Sequence, residues 1–406
     1  MRKVVVIGGG AAGLLAAYSS AKKGNSVILI EKNEKLGKKI YITGKGRCNL
    51  TNDVSNSEFF NNVVTNPKFV FSAINSLSPQ ATQELFESLG LKLKTERGNR
   101  VFPFSDKASD VTKTLENALK KLNVIVLLNT EVCNIIAKNS IVIGVNTDSG
   151  EILCDSVIVC TGGVSYPLTG SNGDGYKFAK NLGHTVISPK PALVGIELNG
   201  SDFSSLQGVS LKNVSIRAIV NDKIVYSDFG EMLFTHFGVS GPIILSSSSI
   251  LNKHEISNTK ISIDLKPALS YETLNNRFLR EFKDNNSKAI HTIMRSLLPK
   301  SLIDVVLSRA NIRASKNCSE ITQEERNRLI KTLKNLDFKV KRLRPIDEAI
   351  VTSGGVNVKE INPKTMESKI IRQLFFAGEV LDIDAFTGGF NLQLAFSTGY
   401  VAGINS

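Results

Sequence analysis

The sequence predicts an α/β fold: a doubly wound parallel sheet, interrupted by a β-barrel-like insert and a small helical subdomain. Three observations predict it. Apolar runs alternate with helical periodicity from Met1 to about Gly183. Near Pro189 and Pro191 the texture changes to short alternating segments, and from Tyr271 to helical spacing. An apolar strand ending in glycine, Leu374 to Gly378, then returns near the C-terminal end. At 406 residues the chain exceeds what one core usually serves. The expected domains are 1–190 with 341–406 as one discontinuous sheet domain, 191–268 as the insert and 269–340 as the helical part.

The first element carries the strongest motif. Val4 to Ile7 run into Gly8-Gly9-Gly10-Ala11-Ala12-Gly13, and Glu31 closes a second apolar run from Val27 to Ile30. Gly8 suits the tight turn, Gly10 lets backbone approach a pyrophosphate, and Gly13 lets the helix pack closely on the strand. Glu31 follows Gly13 by 18 residues, where a carboxylate accepts hydrogen bonds from an adenosine ribose and repels a 2′-phosphate. FAD or NAD therefore fits, and NADP fits poorly.

The other elements follow in order. Asp110 to Leu122 has helical spacing and Val124 to Leu128 reads as a strand. A meander comes next, Val132 to Ala137, Ser140 to Thr147 and Ile152 to Cys154, turning at Asp148-Ser149-Gly150. Val157 to Cys160 is an apolar strand running into Thr161, Gly162 and Gly163, an ending that admits a ligand close to the backbone. The insert offers Leu193–Leu198, Val209–Val220, Lys223–Tyr226, Glu231–Phe234 and Lys260–Leu265 as strands. Helical spacing covers Tyr271 to Asn335; Ala349–Thr352 and Gly355–Val358 read as strands, and a final helix as Leu392–Gly403.

Composition bounds the function. Hydrophobic residues make up 42% and charged residues 21%, ordinary for a soluble globular protein, and no stretch has the length of a membrane span. Five scattered cysteines without CxxC spacing or a histidine cluster argue against zinc and against a disulfide reductase, and a cytoplasmic home is expected. The net charge is +13; Ser270 to Pro345 alone holds 17 Lys and Arg against 8 Asp and Glu. That segment reads as a solvated helical face, because the aromatic interleaving of a strand-binding surface is missing, with an RNA footprint as the alternative.

A second cluster spans Gly37 to Asn52, GKKIYITGKGRCNLTN. Gly44 and Gly46 free the backbone, Lys38, Lys39, Lys45 and Arg47 supply cations beside a pyrophosphate, and Thr43, Asn49 and Thr51 supply neutral polar groups. It begins six residues past Glu31, so a ligand held at both places is longer than a mononucleotide.

With VIGGGAAGL, GKKIYITGKGRCNLTN, CTGGVSYPLTGSNGDGY, MLFTHFGVSGPIIL, TSGGVNVKEINPKTMESKI and LFFAGEVLDIDAFTGGFNLQLAFSTGYVAG in view, the chain resembles the HI0933-like flavoproteins over nearly its whole length. These are bacterial FAD-dependent oxidoreductases related to aminoacetone oxidases and bile-acid reductases. The resemblance implies a Rossmann-type FAD-binding domain with a glutathione-reductase-like sheet. It implies that Gly8, Gly10, Ala12 and Gly13 hold the pyrophosphate and Glu31 the adenosine ribose. Lys39, Thr43, Gly44, Arg47, Cys48 and Asn49 would line the ribityl and flavin region. Val132 begins the strand whose edge meets adenine, and Thr161 and Gly162 close over the cofactor. Gly378 and Glu379, with Asp382 nearby, would face the ribityl chain. Gly389, Phe390, Asn391 and Leu392 start the last helix, whose dipole and amides would favour negative charge at flavin N1 and O2.

Catalytic side chains are less marked. His236, in FTHFGVSGP, is the candidate proton donor or substrate anchor, and a structural histidine is the competing reading. Tyr166 before Pro167 is either a phenol near the flavin or a packed loop residue, and Cys48 without a partner reads as packing. No second GxGxxG occurs from Pro191 to Asn335, so NAD(P)H would dock transiently. The leading expectation is a non-covalent FAD enzyme passing a hydride through flavin N5 to or from a small substrate bound between sheet and insert. An NAD(P)H-linked reductase of an activated C=C leads; an amine or aminoketone oxidase, an RNA-binding flavoprotein using 270–345, and an inert flavoprotein are the alternatives.

Overall fold

Five parallel strands form the main sheet of the computed structural model, which describes residues 1–406. Their order is Leu374–Phe376, Ser156–Val159, Lys3–Ile7, Ser26–Ile30 and Ile125–Leu127. Val5 lies opposite both Val157 and Ile28, and the three inner strands are covered on both edges and read as unbroken apolar runs. The C-terminal strand pairs with Ser156–Val159 and closes one side of the sheet.

This sheet belongs to one of two units, Met1–Ala192 with Ile346–Ser406. Its first helix, Ala11–Lys22, packs against the last, Phe390–Asn405, through small residues. A Cβ on Gly399 would fall on the Ala12 backbone and one on Gly403 on Ser19, while the Ser19 hydroxyl donates to the Tyr400 carbonyl at 2.9 Å. Both helices are buried nearly all round, so neither shows an amphipathic stripe. Ala108–Lys121 is the amphipathic contrast, burying Val111, Leu115, Ala118 and Leu119. The meander is present as Val132–Lys138, Ile141–Thr147 and Gly150–Leu153.

Three features of this unit depart from the sequence reading. Ala349–Thr352 and Gly355–Val358 are one strand, Val351–Val356, paired with Val186–Ala192 across an irregularity between Ile187 and Lys190 that accommodates the Gly354-Gly355 pair. A small antiparallel sheet of Thr51–Asn52, Arg100–Pro103 and Leu93–Glu96 goes unforeseen, its strands too short for a periodicity. So do the helices Asn56–Phe60, Phe71–Ser76 and Pro79–Ser88, although the last carries a readable start: Ser78 accepts from the Ala81 amide at 3.1 Å, with Pro79 at the first helical position.

The other unit is Leu193–Pro345. Six strands close a barrel in the order Ile196–Leu198, Gly238–Ser240, Lys223–Phe234, Ser210–Val220, Thr259–Asp264 and Leu336–Leu343. Lys223–Tyr226 and Glu231–Phe234 are one long strand paired with Ser210–Val220, its two register shifts hiding the alternation. The helices share the barrel's core: Leu274, Phe278, Ile303 and Ile330 cluster with Ile261, Phe234 and Phe338. The helix Gln323–Lys334 starts on a capping box between Thr322 and Glu325.

One buried group in the sheet unit gives a pH dependence. His184 is 4% exposed, with Nε2 2.7 Å from the Ser368 hydroxyl and Nδ1 3.2 Å from the Ala179 carbonyl. Burial holds its imidazole below its ordinary value, against the opposing pull of that carbonyl. Between the lowered value and about 6.5 the unfolded chain binds more protons, so stability falls as pH drops through that window. Urea unfolding at about pH 7.5 and about pH 5.5 should show the loss, and His184→Gln should flatten it. An equal fall in both proteins would assign the effect to other groups.

Candidate functional site

The site starts where the first strand meets its helix. Glu31 is 9% exposed and its carboxylate is already held: Oε2 accepts from the Gly9 amide at 2.7 Å, Oε1 from the Asn33 amide at 2.9 Å and side chain at 2.6 Å. These contacts fix its orientation and leave further lone-pair capacity. Gly10 caps the helix Ala11–Lys22, and a Cβ there would meet nothing within 4 Å, so the space beside this backbone is open. Leu14 is the first residue whose amide reaches back, to the Gly10 carbonyl at 2.9 Å; the amides of Ala11, Ala12 and Gly13 lie in the turn that has no intrahelical acceptor. This is an anion seat with the helix dipole behind it. Glu31→Ala is expected to weaken FAD retention by about 1 to 3 kcal/mol, since a charged acceptor is lost. Titration of apoprotein with FAD measures it, and unchanged affinity would remove the ribose assignment.

The second cluster forms a short helix, Lys38–Ile42, and a tight turn in which Gly44 and Lys45 are left-handed. The Thr43 hydroxyl donates to the Ile40 carbonyl at 2.7 Å, and the Thr43 carbonyl accepts from Cys48 at 3.0 Å. Cys48 is fully buried and burial pushes its thiol up to about 12, so it packs and does not react. Of the four cations expected beside a pyrophosphate, two are turned elsewhere. Lys38 pairs with Glu34 at 3.0 Å. Arg47 pairs with Glu96 and with Asp106, its Nε donating to Asp106 at 2.8 Å, and lies 4.2 Å over the Phe102 ring. Carboxylates on the neighbouring hairpin engage Arg47, a pairing that sequence distance conceals. The buried Asn49 Oδ1 and Thr161 Oγ1 have no partner.

Lys39 is differently placed. Its ammonium donates to Glu379 Oε2 at 2.7 Å and to the Ser165 hydroxyl at 2.7 Å, with the pair 23% and 19% exposed. Glu379 Oε1 accepts from Ser165 at 2.9 Å and from the Thr352 amide at 2.8 Å, and the Thr352 hydroxyl accepts from Val164 and Ser165 at 2.9 and 3.1 Å. Three distant segments thus meet on one carboxylate. Ser165 and Thr352 belong to no chemical motif in the sequence; each lies two residues from a Gly-Gly pair, Gly162-Gly163 and Gly354-Gly355. Tyr166 sits at φ 52° with its ring 5.8 Å from the Lys39 ammonium.

The last helix starts at Phe390, after Gly389 at φ 102°, where a Cβ would fall on the Thr51 carbonyl. Asn391, expected to serve a ligand there, serves the chain, as does Gln393 beside it. Asn391 accepts from the Ala385 amide at 2.9 Å and donates to the Ala385 carbonyl at 2.8 Å and to Phe386 at 3.3 Å. Gln393 is fully buried, bonded to Thr51, Leu77, Thr82 and Ser397. A side chain this close to an irregular turn satisfies the turn first. What the head of the helix retains is the row of backbone amides at Phe390, Asn391 and Leu392. Gly378 donates to the Thr398 hydroxyl at 2.9 Å, Asn66 holds the Asp382 carboxylate at 3.0 Å, Gly162 is left-handed at φ 73°, and Val132 is buried at the start of its strand. His236 belongs to the barrel unit, where it is exposed and edge-on to Phe237 at 5.1 Å.

The open backbone at Gly10, the anion seat, the oriented Glu31 and the unpartnered Asn49 and Thr161 oxygens fit the FAD that the sequence resemblance implies.

Comparison with known proteins bears on the family and the fold. The family model described as HI0933-like protein Rossmann domain matches residues 2–405. A 3-dehydro-bile acid delta(4,6)-reductase of Clostridium scindens is 31% identical over 409 residues, covering 99% of this chain and 98% of its own. A ribosomal RNA dihydrouridine synthase of Haemophilus influenzae is 31% identical over 410 residues, covering 99% and 97%. Among solved structures, a 3-ketosteroid-delta4-(5alpha)-dehydrogenase from Rhodococcus jostii RHA1 superposes with a TM-score of 0.55 at 13% identity, covering 100% of this chain and 96% of that one, a likeness of fold.

Proposed function

The chain belongs to the HI0933-like family, and on that premise we propose that it is an FAD-dependent oxidoreductase that reduces a carbon–carbon double bond conjugated to a carbonyl. The observation that carries the reading is a meeting in one unit: the fingerprint with its oriented Glu31, the Lys39–Glu379 pair, and the amide row heading the last helix. The names of the two relatives support the bond type. Delta(4,6) double bonds lie in conjugation with a 3-keto group, and dihydrouridine is uridine saturated next to its ring carbonyl.

In this reading Glu31 accepts from the adenosine ribose, and the amides of Ala11 to Gly13 take the pyrophosphate. FAD bound there supplies hydride transfer, with NADH or NADPH as the proposed two-electron donor. Lys39 is held in place by Glu379 and Ser165, and the amides of Phe390 to Leu392 favour negative charge at the head of the last helix. The substrate gains a hydride at the carbon β to its carbonyl and a proton at the α carbon.

A second reading concerns the substrate. The formal charge of +13 suits a polyanion better than a neutral enone, and favours a uracil ring within RNA. One experiment separates the cases: anaerobic holoenzyme is mixed with NADH or NADPH, then with a 4-ene-3-ketosteroid or with protein-free ribosomal RNA from cells lacking the gene. Bleaching by the nucleotide followed by recolouring with the enone supports the small-molecule reading. Recolouring with RNA, together with uridines gaining two hydrogens by mass, supports the uracil reading. Absence of bleaching, with reduction by an aminoketone instead, would overturn both in favour of an oxidase.

A further inference from the structure

Resting on the uracil reading, we propose that the hairpin of Leu93–Glu96 and Arg100–Pro103, continued to Lys107, is the surface on which a single-stranded RNA segment docks beside the candidate flavin loop. The hairpin's place is fixed by hydrogen bonds. Arg100–Pro103 pairs with Thr51–Asn52, the tail of that loop. The Asn52 side chain donates to the Gly98 carbonyl at 3.1 Å, in the hairpin turn, and to the Gly388 carbonyl at 2.9 Å, before the last helix. One residue therefore ties the hairpin to two parts of the candidate site.

The hairpin has the charge and the ring that a nucleic-acid strand requires. From Lys92 to Lys107 it carries five cations against Glu96 and Asp106. Both acids are engaged: Glu96 by Arg47, and Asp106 by Arg47 and by Lys94 at 2.6 Å. Lys45, Lys92, Arg97, Arg100 and Lys107 are exposed and make no ion pair, so their charge faces solvent uncompensated. Among them Phe104 is 66% exposed, with the Lys94 ammonium 5.9 Å from its ring centre. A solvent-facing ring flanked by cations is a stacking platform for an unpaired base, and the cations track its phosphates. A neutral enone gains nothing from either.

Of the 17 Lys and Arg in 270–345, six are held by carboxylates of their own unit. Arg277, Lys316, Lys334, Arg342 and Arg344 hold Glu281, Glu325, Asp264 and Glu197 at 2.6 to 2.9 Å, and Arg309 holds Asp202. Those cations brace the barrel unit.

Filter binding of the FAD-loaded protein to protein-free ribosomal RNA over a range of salt tests the surface. Arg97→Glu with Arg100→Glu should raise Kd at least about tenfold and lower the log–log salt slope by about two. Phe104→Ala should weaken binding about tenfold with the slope unchanged, because it removes stacking and no charge. Arg280→Glu with Arg313→Glu, exposed on the other unit, should bind as the parent does. FAD content should stay at the parent level throughout, which separates docking from folding. If the parent binds RNA and the hairpin variants bind equally, while the Arg280 and Arg313 variant loses affinity, the docking surface is overturned and the uracil reading stands. If the parent itself binds no RNA at low salt, both are overturned.

Discussion

Gly13→Ala is expected to purify colourless and to lose on the order of 3 kcal/mol of unfolding free energy. The reason is geometric. A Cβ on Gly13 would fall on the Gly8 carbonyl oxygen and press on the Cys160 side chain. Neither neighbour can yield, because the first strand is held between Ser26–Ile30 and Ser156–Val159 and the helix is locked to the last helix at Gly399. The helix must move off the strand, and the amides of its first turn move with it. FAD content after gel filtration and the urea midpoint are the two readouts. A variant that stays yellow with an unchanged midpoint would show that the strand and helix do not meet this closely.

Glu379→Ala is expected to cost about 2 to 4 kcal/mol, toward the lower figure because the pair keeps some contact with solvent. The substitution leaves the Lys39 ammonium without its carboxylate and takes acceptors from the Ser165 hydroxyl and the Thr352 amide. Glu379→Gln retains an acceptor for the Thr352 amide and should recover about half of the loss. The Gln variant also reports on the cofactor. Removing a negative charge beside a flavin eases its reduction, so the midpoint potential of fully loaded protein should rise. A fully loaded variant with the parent's potential would place the Lys39–Glu379 pair away from the flavin, whatever its cost in stability.

Legibility differed sharply among the residues involved. The strand–turn–helix at Gly8 to Gly13 and the acid at Glu31 were readable because every requirement there is local: a turn, a close approach, a carboxylate at the end of the next strand. The buried parallel strands were readable because two-sided burial leaves unbroken apolar runs. The barrel's long strand was split in the reading because its register shifts break the period of two. Arg47 and Asn391 look like ligand-binding groups in a donor-rich motif, yet one is taken by Glu96 and Asp106 and the other by Ala385 and Phe386. Ser165, Thr352 and Asn52 gained their importance only from partners far along the chain.

By itself the sequence determined the sheet, the nucleotide fingerprint, the family resemblance and the sense of the charge. These rest on spacing and composition, which are properties of neighbours along the chain. The tertiary structure alone decided which cations stay free, that Lys39 is oriented by Glu379, and that a hairpin with an exposed phenylalanine borders the candidate flavin loop. The physical reason is competition. A charged or polar side chain takes the partner that folding brings nearest, and that partner is set by the packing of segments up to several hundred residues apart, beyond the reach of local pattern.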